Sequence, residues 1–428
     1  MSSPGNNEKR PTAVRHEVLT WLVLAAAFAY LPRNAVGVAE STIREDLGLT
    51  LQQSGWFMSA FFWSYALCQV PSGLVAQKFG TRIALPVFAF GWSAAAFGIG
   101  VAPAFLVLIL AQLVMGVAQA GLFPAATVSV GNWISLARRS IACGLLAAGM
   151  QVGAIAASGL TGRLIEPIGW RWVFVIYAIP GILLAAAVFR FFRDKPENHP
   201  RVNEAELAVI QRGKEKDSDP NSGRADLASW LAIAANPSIW FLCGQQICRA
   251  AGYMFFASWF PTFLQETRGV SVANSGYLQG LVLAGSLTGA ILGGTITDWI
   301  WRKTGSLRVS RGGVGAAALV VCAGLILGAW FVKSVAVAAT LLAVGAFMAA
   351  LAGPAGYTSA IDIGGQRVPQ VFGLMNMSGN LAAAASPALV GFLFTKTENW
   401  NLILLIFAAV YFAGAICWVF VKPERKVG

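Results

Sequence analysis

Residues 18–39 read VLTWLVLAAAFAYLPRNAVGVA, an apolar run that is broken near its centre by Pro32 and Arg33. A helix needs about 20 apolar residues to cross ~30 Å of hydrocarbon, so the run predicts a membrane-spanning helix. A charged side chain inside such a helix costs roughly 2.5 to 3.5 kcal/mol on insertion scales, and an intramembrane arginine is therefore a candidate functional residue. The competing interpretation is a structural arginine that binds backbone carbonyls freed by the kink at Pro32.

Similar apolar segments recur along the whole chain. Of the 428 residues 57% are hydrophobic and only 12% are charged, and the mean hydropathy is +0.64. Soluble domains carry about 25% charged residues. The predicted fold class is an all-α integral membrane protein with twelve transmembrane helices in two sets of six. We expect these helices near residues 17–39, 55–77, 82–101, 104–128, 140–162, 170–192, 238–263, 275–300, 313–332, 335–358, 369–394 and 401–421.

The net charge of +12 follows the loops between these helices. Most cations fall in the N-terminal tail, the even-to-odd loops, the central loop and the C-terminal tail, and few fall in the opposite loops. By the positive-inside rule both termini are expected in the cytoplasm. The charge therefore indicates topology, and we expect no nucleic-acid partner. The six cysteines lie inside predicted helices without CxxC spacing, so neither a disulfide framework nor a zinc site is indicated. We expect no metal and no cofactor.

The only long polar stretch, 193–226, separates the two sets of helices. Within it Asn203 is expected to cap a short helix whose third residue is Glu206. The predicted organisation is a cytoplasmic tail, a six-helix bundle, a cytoplasmic linker, a second six-helix bundle and a second tail, at residues 1–16, 17–192, 193–236, 237–421 and 422–428.

The two predicted bundles carry similar sequences after their second helices. GLVAQKFGTR at 73–82 and GGTITDWIWRKTGS at 293–306 both join a glycine-rich helix end to a basic cluster. Corresponding repeats of this kind are typical of transporters that rock one half against the other. The candidate gating residues at these helix ends are Lys78, Arg82, Asp298 and Arg302.

These features resemble the major facilitator superfamily. The first loop resembles that superfamily's G-x-x-x-D-R-x-G-R motif, with Gln77 where an aspartate is usual, whereas Asp298 keeps the acid in the second half. Stretches that span nearly the whole chain resemble the anion:cation symporter branch, which includes bacterial sugar-acid transporters. They are SAFFWSYALCQVPSGLVAQKFGTR (59–82), SWFPTFLQETRGVS (258–271), GGTITDWIWRKTGS and VFGLMNMSGNLAAAASPALVGF (371–392).

The resemblance implies that an arginine in the first helix binds the substrate carboxylate, beside an aspartate that takes part in proton coupling. Tyr30 and Arg33 match the branch's Y-x-D-R motif, but Pro32 occupies the aspartate position. In the fourth helix, GVAQAGLFPA (116–125) places Gln119 where the branch usually has a coupling glutamate. Proton coupling requires a group that titrates during the cycle. We therefore expect a facilitator or an anion exchanger.

A second arginine, Arg249, lies in the predicted seventh helix, about three α-helical turns before Pro261. Substrate sites in such repeats lie between the halves near the midplane, so Arg33 and Arg249 are expected to face one cavity. Two permanent cations suit an anion. One arginine in each of the first and seventh helices also resembles the organophosphate:phosphate antiporters, although Arg249 is about a turn out of their register. The alternative for Arg249 is a snorkelling or interhelical role.

Seven further side chains are candidate substrate ligands. Tyr30 lies one turn from Arg33 on the same face. The six amides could instead bond neighbouring helices; they are Gln119, Gln151, Gln245, Gln246, Asn376 and Asn380. The predicted function is alternating-access transport of a small organic anion, a sugar acid or another carboxylate, by a monomer in a bacterial inner membrane. The alternatives are an organophosphate-type anion exchanger and a transporter-like anion sensor. We do not expect an enzyme, since no nucleophile, base and orienting group are found together at any membrane depth, and no catalytic residues are assigned.

Overall fold

The computed structural model describes residues 10–135, 139–212, 227–364 and 367–425, so parts of both predicted tails and linker residues 213–226 lie outside the described residues. The described chain is helical and contains no strand. The helices are α1 (Val14–Leu47), α2 (Leu51–Phe79), α3 (Thr81–Gly100), α4 (Phe105–Ala120), α5 (Leu122–Trp133), α6 (Arg139–Phe191), α7 (Glu204–Gln211), α8 (Leu227–Ala234), α9 (Pro237–Met254), α10 (Phe260–Arg268), α11 (Val272–Thr304), α12 (Val314–Phe331), α13 (Val335–Gly364), α14 (Val368–Thr397) and α15 (Trp400–Phe420).

Twelve membrane crossings emerge from these helices. Nine helical segments in the described chain are long and apolar enough to span a bilayer, and α4 with α5 makes one of them. The long helix α6 contains two crossings, because its backbone reverses at Gly169 (φ 76°). The other two crossings are α2 and the pair α9 and α10, which a π-helical turn at Phe255–Trp259 joins. The twelve-helix membrane fold predicted from hydropathy is confirmed.

Glycine is required where α2 meets α3. Gly80 has φ 76°, a conformation that L side chains rarely adopt. A Cβ at this position would also lie 2.6 Å from Oδ2 of Asp194, which follows α6. The same carboxylate accepts a hydrogen bond from the backbone N–H of Arg82 at 3.0 Å. Asp194 thereby ties the α2–α3 connection to the end of the first bundle.

The crossings form two bundles, which we call the N-half (α1–α6) and the C-half (α9–α15). We call the face where α1 begins and α15 ends the termini side, and the other face the opposite side. The halves meet on the opposite side through close backbone contacts. A Cβ at Gly37 would lie 2.9 Å from the carbonyl oxygen of Ala257, and one at Gly55 would lie 2.7 Å from that of Pro387. Small residues thus let the halves pack closely there.

Polar side chains on the opposite side add to this contact. Glu40 of α1 is fully buried and accepts a hydrogen bond from Thr262 Oγ1 of α10 at 2.7 Å. Arg44 pairs with Glu40 at 2.8 Å and with Glu266 of α10 at 2.5 Å. Because Glu40 and Arg44 belong to the N-half, these bonds join the halves beyond the middle of α1. The structure is therefore closed on the opposite side.

The linker helix α7 is attached to the start of α1. Asn203 caps α7 by accepting from the backbone N–H of Glu206 at 3.0 Å. The carboxylate of Glu206 is fully buried and accepts from Thr12 Oγ1 and from the backbone N–H groups of Val14 and Arg15. Since the first N–H groups of a helix lack partners within it, Glu206 caps α1 from outside. This attachment makes α7 part of the N-half.

His199 lies between α6 and α7, and histidine is the residue type whose unperturbed pKa lies nearest neutral pH. Its ring is 6% exposed and packs edge-on against Trp133, with ring centroids 5.6 Å apart. Burial and, to a smaller extent, the charge of Arg201 lower the pKa of His199. The imidazole is therefore kept neutral in a packing role outside the membrane.

Candidate functional site

A cavity of about 540 Å³ lies between the two halves. Side chains from α1, α2, α4 and α6 line one wall, and side chains from α9, α11, α13, α14 and α15 line the other. Its charged lining residues, within the described chain, are Arg33 and Arg249, and no described Asp, Glu, His or Lys lines it. A volume of this size is ordinary for a small-molecule site. The cavity is therefore electropositive and fits a small anion.

Arg33 lies in a cage of four aromatic rings. Its guanidinium carbon is 4.7 Å from the ring centroids of Tyr30 and Phe61, 5.2 Å from that of Phe62 and 5.1 Å from that of Tyr65. Tyr30 is on α1 with Arg33, and the other three rings come from α2. Cation–π contacts stabilise the charge without neutralising it, and each becomes stronger where water is excluded. The rings therefore fix the guanidinium while its N–H groups remain donors for an anion.

Arg249 faces the cavity from α9 in a different environment. Its Nη2 donates to Oε1 of Gln246, on the same helix, at 2.9 Å. Its buried Nε has no hydrogen-bond partner among the described residues. Tyr253, one turn further along α9, lies within electrostatic reach of both Arg249 and Arg33. The Nε of Arg249 thus remains available as a hydrogen-bond donor, since no described residue accepts from it.

A π-helical turn explains how Arg249 reaches this position. Residues Phe255–Trp259 form that turn between Arg249 and Pro261. A π-helical turn contains an additional residue, so residues before it are rotated relative to an uninterrupted α-helix. Gln279 of α11 donates to the carbonyls of Phe256 and Ala257, at 3.2 and 2.9 Å, within this turn. Counting α-helical turns back from Pro261 therefore misjudges which face Arg249 occupies.

The structure divides the six candidate amides into two groups. Four of them line the cavity: Gln151, Gln246, Asn376 and Asn380. Two do not line it in this structure, Gln119 and Gln245, and their role as substrate ligands stays a prediction. Gln119 is 3% exposed and donates to the carbonyl of Ala29 at 2.7 Å, whereas Gln245 is fully buried and donates to the carbonyl of Leu242 at 2.9 Å. Both amides are turned away from the cavity because each bonds a backbone carbonyl.

The acid of the second repeat pairs with a cation that was not among the candidate gating residues. Asp298 is 3.6 Å from Nη1 of Arg311, and Asp362 is 3.2 Å from Nε of the same arginine. Arg302 instead donates to the backbone carbonyl of Asp298. Arg311, at the start of the α12 crossing, therefore holds the acid of the second repeat.

In the first repeat neither candidate gating cation forms a described ion pair. Lys78 is exposed, with its Nζ 5.4 Å from the ring centroid of Phe79. The guanidinium carbon of Arg82 lies 5.8 Å from the ring centroid of Phe189. The acid at this end is Asp194, described above, while the side chain of Gln77 lies outside the described residues. The described gating contacts on the termini side thus stay within one half.

Some lining residues were missed from the sequence. Tyr65 and Tyr253 both contact or approach the arginines, and Gln112 of α4 lines the cavity. Tyr253 follows Arg249 by four residues on one helix face, a spacing that would have identified it. Tyr65 had no such indication, because its contact with Arg33 depends on how α1 and α2 pack.

Known proteins of similar sequence are named as transporters of organic acids. The sequence model of the Major Facilitator Superfamily matches residues 22–332. A probable sulfoacetate transporter of Cupriavidus necator is 28% identical over 98% of this chain and 96% of its own. A probable galactarate/D-glucarate transporter of Bacillus subtilis is 28% identical over 98% of this chain and 94% of its own length. A D-galactonate transporter of Escherichia coli is 25% identical over 98% of each chain.

The fold also matches solved structures. A crystal structure of a bacterial homolog of the human lysosomal transporter Spinster, in an inward-facing and unoccupied conformation, superposes with a TM-score of 0.77. The match covers 96% of this chain and 95% of the other at 20% identity, which supports the fold alone.

Proposed function

The chain belongs to the major facilitator superfamily, and from this premise we propose that it transports a small organic anion across a membrane by alternating access. The observation that carries the proposal is the shared cavity, whose charged lining residues are one arginine from each half. An arginine binds a carboxylate or sulfonate through parallel hydrogen bonds and stays charged throughout the cycle. The residues 17–192 and 237–421 are the two proposed moving bodies.

The two arginines also favour a particular substrate class. We expect a dianion or a polyhydroxylated carboxylate, with one acidic group at caged Arg33 and the other end near Arg249. Gln151, Asn376 and Asn380 offer hydrogen bonds to hydroxyl groups between them. The relatives named for sulfoacetate, galactarate/D-glucarate and D-galactonate cover these substrate types. We place carboxylates first, and organophosphates, for which no relative is named here, second.

The test is uptake by purified protein in proteoliposomes. Labelled sulfoacetate, D-glucarate and D-galactonate are supplied outside, each with and without the same anion inside. We expect saturable uptake of at least one, and faster uptake when the vesicles are preloaded if the protein is an exchanger. A protein that binds an anion in a thermal-shift assay but does not equilibrate it would instead be a sensor. Failure of all three anions to bind or move would contradict the proposal.

We further propose that protons do not drive accumulation through the cavity. A carrier without a titrating group there gives a proton gradient no differential affinity on which to act. The candidate acids at helix ends, Glu40, Asp298 and Asp362, are paired with arginines outside the cavity lining in the described structure. Uptake should therefore reach, but not exceed, the external concentration under an imposed pH gradient. Accumulation that follows the pH gradient would show that one of these acids, or the substrate's own acid, carries a proton.

The proposed setting is a bacterial inner membrane, with the protein as a monomer and both termini in the cytoplasm. The support is the enrichment of Lys and Arg in the loops of the termini side. A fluorescent protein fused after the C-terminus should fluoresce in cells, whereas an alkaline phosphatase fusion at the same point should be inactive. The reverse pattern would invert the assignment. In the proposed orientation the cavity is closed toward the outside.

A further inference from the structure

Gln119 is a buried polar residue that the proposed function does not use. It lies near the end of α4, is 3% exposed and does not line the cavity. Its Nε2 donates to the carbonyl of Ala29 on α1 at 2.7 Å, a geometry that requires the nitrogen and not the oxygen to face that carbonyl. Its Oε1 is buried without a partner among the described residues. A buried unpartnered oxygen is unfavourable, so packing alone does not account for an amide here.

The turn of α1 that Gln119 contacts is locally perturbed. Pro32 has no backbone N–H and its ring disfavours regular helix geometry in the preceding turn. Two successive carbonyls of this turn accept bonds from side-chain amides: Ala29 from Gln119, and Tyr30 from Nδ2 of Asn34 at 3.1 Å. Side chains that insert into the backbone ladder in this way are a known cause of kinks. Amide donors from α4 and α1 therefore hold the turn before Pro32 in place.

The same turn presents Tyr30 and Arg33 to the cavity. The aromatic cage fixes the guanidinium only if the α1 backbone is held at the correct rotation and depth, because three of the rings belong to α2. We propose that Gln119 is a positioning residue, which sets the position of Arg33 by donating a hydrogen bond to the turn of α1 that precedes Pro32. This inference rests on the proposed function, because it assigns a role in anion binding.

The chemistry of the donor makes the proposal specific. An amide donates at every pH, whereas a carboxylic acid donates only when protonated and a carboxylate only accepts. An ionised Glu at position 119 would face a carbonyl oxygen and would attract Arg33 away from its anion. The titratable groups that α1 and α2 bring to this region are Arg33, Tyr30 and Tyr65. Residues 83–100 of α3 and 144–162 of α6 contain no ionisable side chain.

The first experiment measures sulfoacetate affinity of Gln119→Glu, Gln119→Met and the unmodified protein between about pH 5.5 and pH 8.5, where both acidic groups of the probe stay ionised. Burial raises the pKa of an introduced carboxyl group, which brings its titration toward this range. We expect no pH dependence in the unmodified protein. Gln119→Glu should bind comparably at the acid end and about tenfold or more weakly at the alkaline end.

Gln119→Met keeps the length of the side chain and lacks the donor. We expect it to bind about fivefold more weakly at every pH, without a pH slope. Unchanged affinity in Gln119→Met, or a flat pH profile in Gln119→Glu at wild-type affinity, would overturn the positioning role.

The second experiment does not depend on any substrate. Hydrogen exchange of the unliganded protein, followed on peptides that cover residues 28–36, should be faster in Gln119→Met than in the unmodified protein. Gln245→Met is the matched control, because Gln245 is an equally buried amide that donates to a carbonyl of its own helix in the C-half. Its exchange in residues 28–36 should match the unmodified protein. Equal exchange in Gln119→Met and Gln245→Met would contradict the inference.

These measurements separate the two proposals. If the unmodified protein binds none of the anions but exchange around Arg33 rises in Gln119→Met, the assigned substrate class fails and the structural coupling stands. If anions bind and Arg33→Ala abolishes binding while both Gln119 variants match the unmodified protein, the proposed function stands and the positioning role fails.

Discussion

Arg33 and Arg249 are the same residue type in the same cavity, yet their surroundings differ. Four rings from two helices surround Arg33. Arg249 has one described hydrogen bond, to Gln246 one turn away on its own helix, and its Nε has no described partner. The first guanidinium is held by packing between helices, and the second by a bond within one helix. A preorganised cation binds an anion with less ordering cost, so we expect Arg33 to contribute more to anion binding than Arg249.

The largest effect should come from Arg33→Ala. Removing one member of a buried charge pair costs about 2 to 5 kcal/mol, so binding of every anion should weaken by about 30-fold or more. Isothermal titration with sulfoacetate, D-glucarate and D-galactonate measures this. The thermal transition should remain cooperative, because the four rings can pack without the charge. Near-normal affinity in this variant would remove Arg33 from the site.

Arg33→Lys should have a smaller but still large effect. An ammonium keeps the charge but cannot form the two parallel hydrogen bonds of a guanidinium, and it does not stack flat on the rings. We expect about a tenfold loss of affinity, between the unmodified protein and Arg33→Ala. A lysine variant that binds as tightly as the unmodified protein would indicate that charge alone matters and that the cage geometry does not.

Arg249→Ala should discriminate between substrates. If Arg249 binds the second acidic group, sulfoacetate and D-glucarate should lose about tenfold in affinity, whereas the monoanion D-galactonate should lose about threefold or less. The comparison of the two losses in one variant is the measurement. Equal losses would argue against a shared cavity site. A lower melting temperature with unchanged affinity would assign Arg249 a structural role.

Gln246→Leu should have the smallest effect of the series. It removes the described acceptor of Arg249 and keeps the approximate side-chain volume, so the guanidinium becomes less oriented but remains available. We expect a loss of about fivefold for dianions and no change for D-galactonate. If Gln246→Leu weakened D-galactonate as much as the dianions, Gln246 itself would contact the substrate.

The fold was predictable because hydropathy and loop charge act over whole segments. Each crossing needs about 20 apolar residues, and that requirement identifies segments such as 18–39 without any knowledge of packing. Even the crossing α9–α10, which a π-helical turn interrupts, was recognised from its overall composition. Hydropathy thus predicts the crossings, although the helices extend beyond them, as α1 does from Val14 to Leu47.

The site was less predictable because it depends on helix rotation. α4 is apolar apart from Gln112 and Gln119, and its sequence does not indicate whether Gln119 faces the cavity or α1; it faces α1. Arg249 was counted as about a turn out of register, yet it lines the cavity, and a π-helical turn lies between it and Pro261. Glu206 was expected only to follow the cap of α7, but it is fully buried beneath α1. Gln119 and Glu206 both make contacts between helices, which a one-dimensional pattern does not contain.

The capping of α1 by Glu206 attaches α7 to the N-half, so a dye on α7 would report the movement of that half. α7 is fastened to the N-half through that carboxylate, while α8 adjoins α9 of the C-half, where Trp240 donates to the carbonyl of Ala234 at 2.8 Å. Exposed Gln211 and Ala235 thus report on different halves. Donor and acceptor dyes at these two residues would convert rocking of the halves into a change in energy transfer. An anion that favours one state would then be detected by the change in energy transfer in intact cells, without a transport assay.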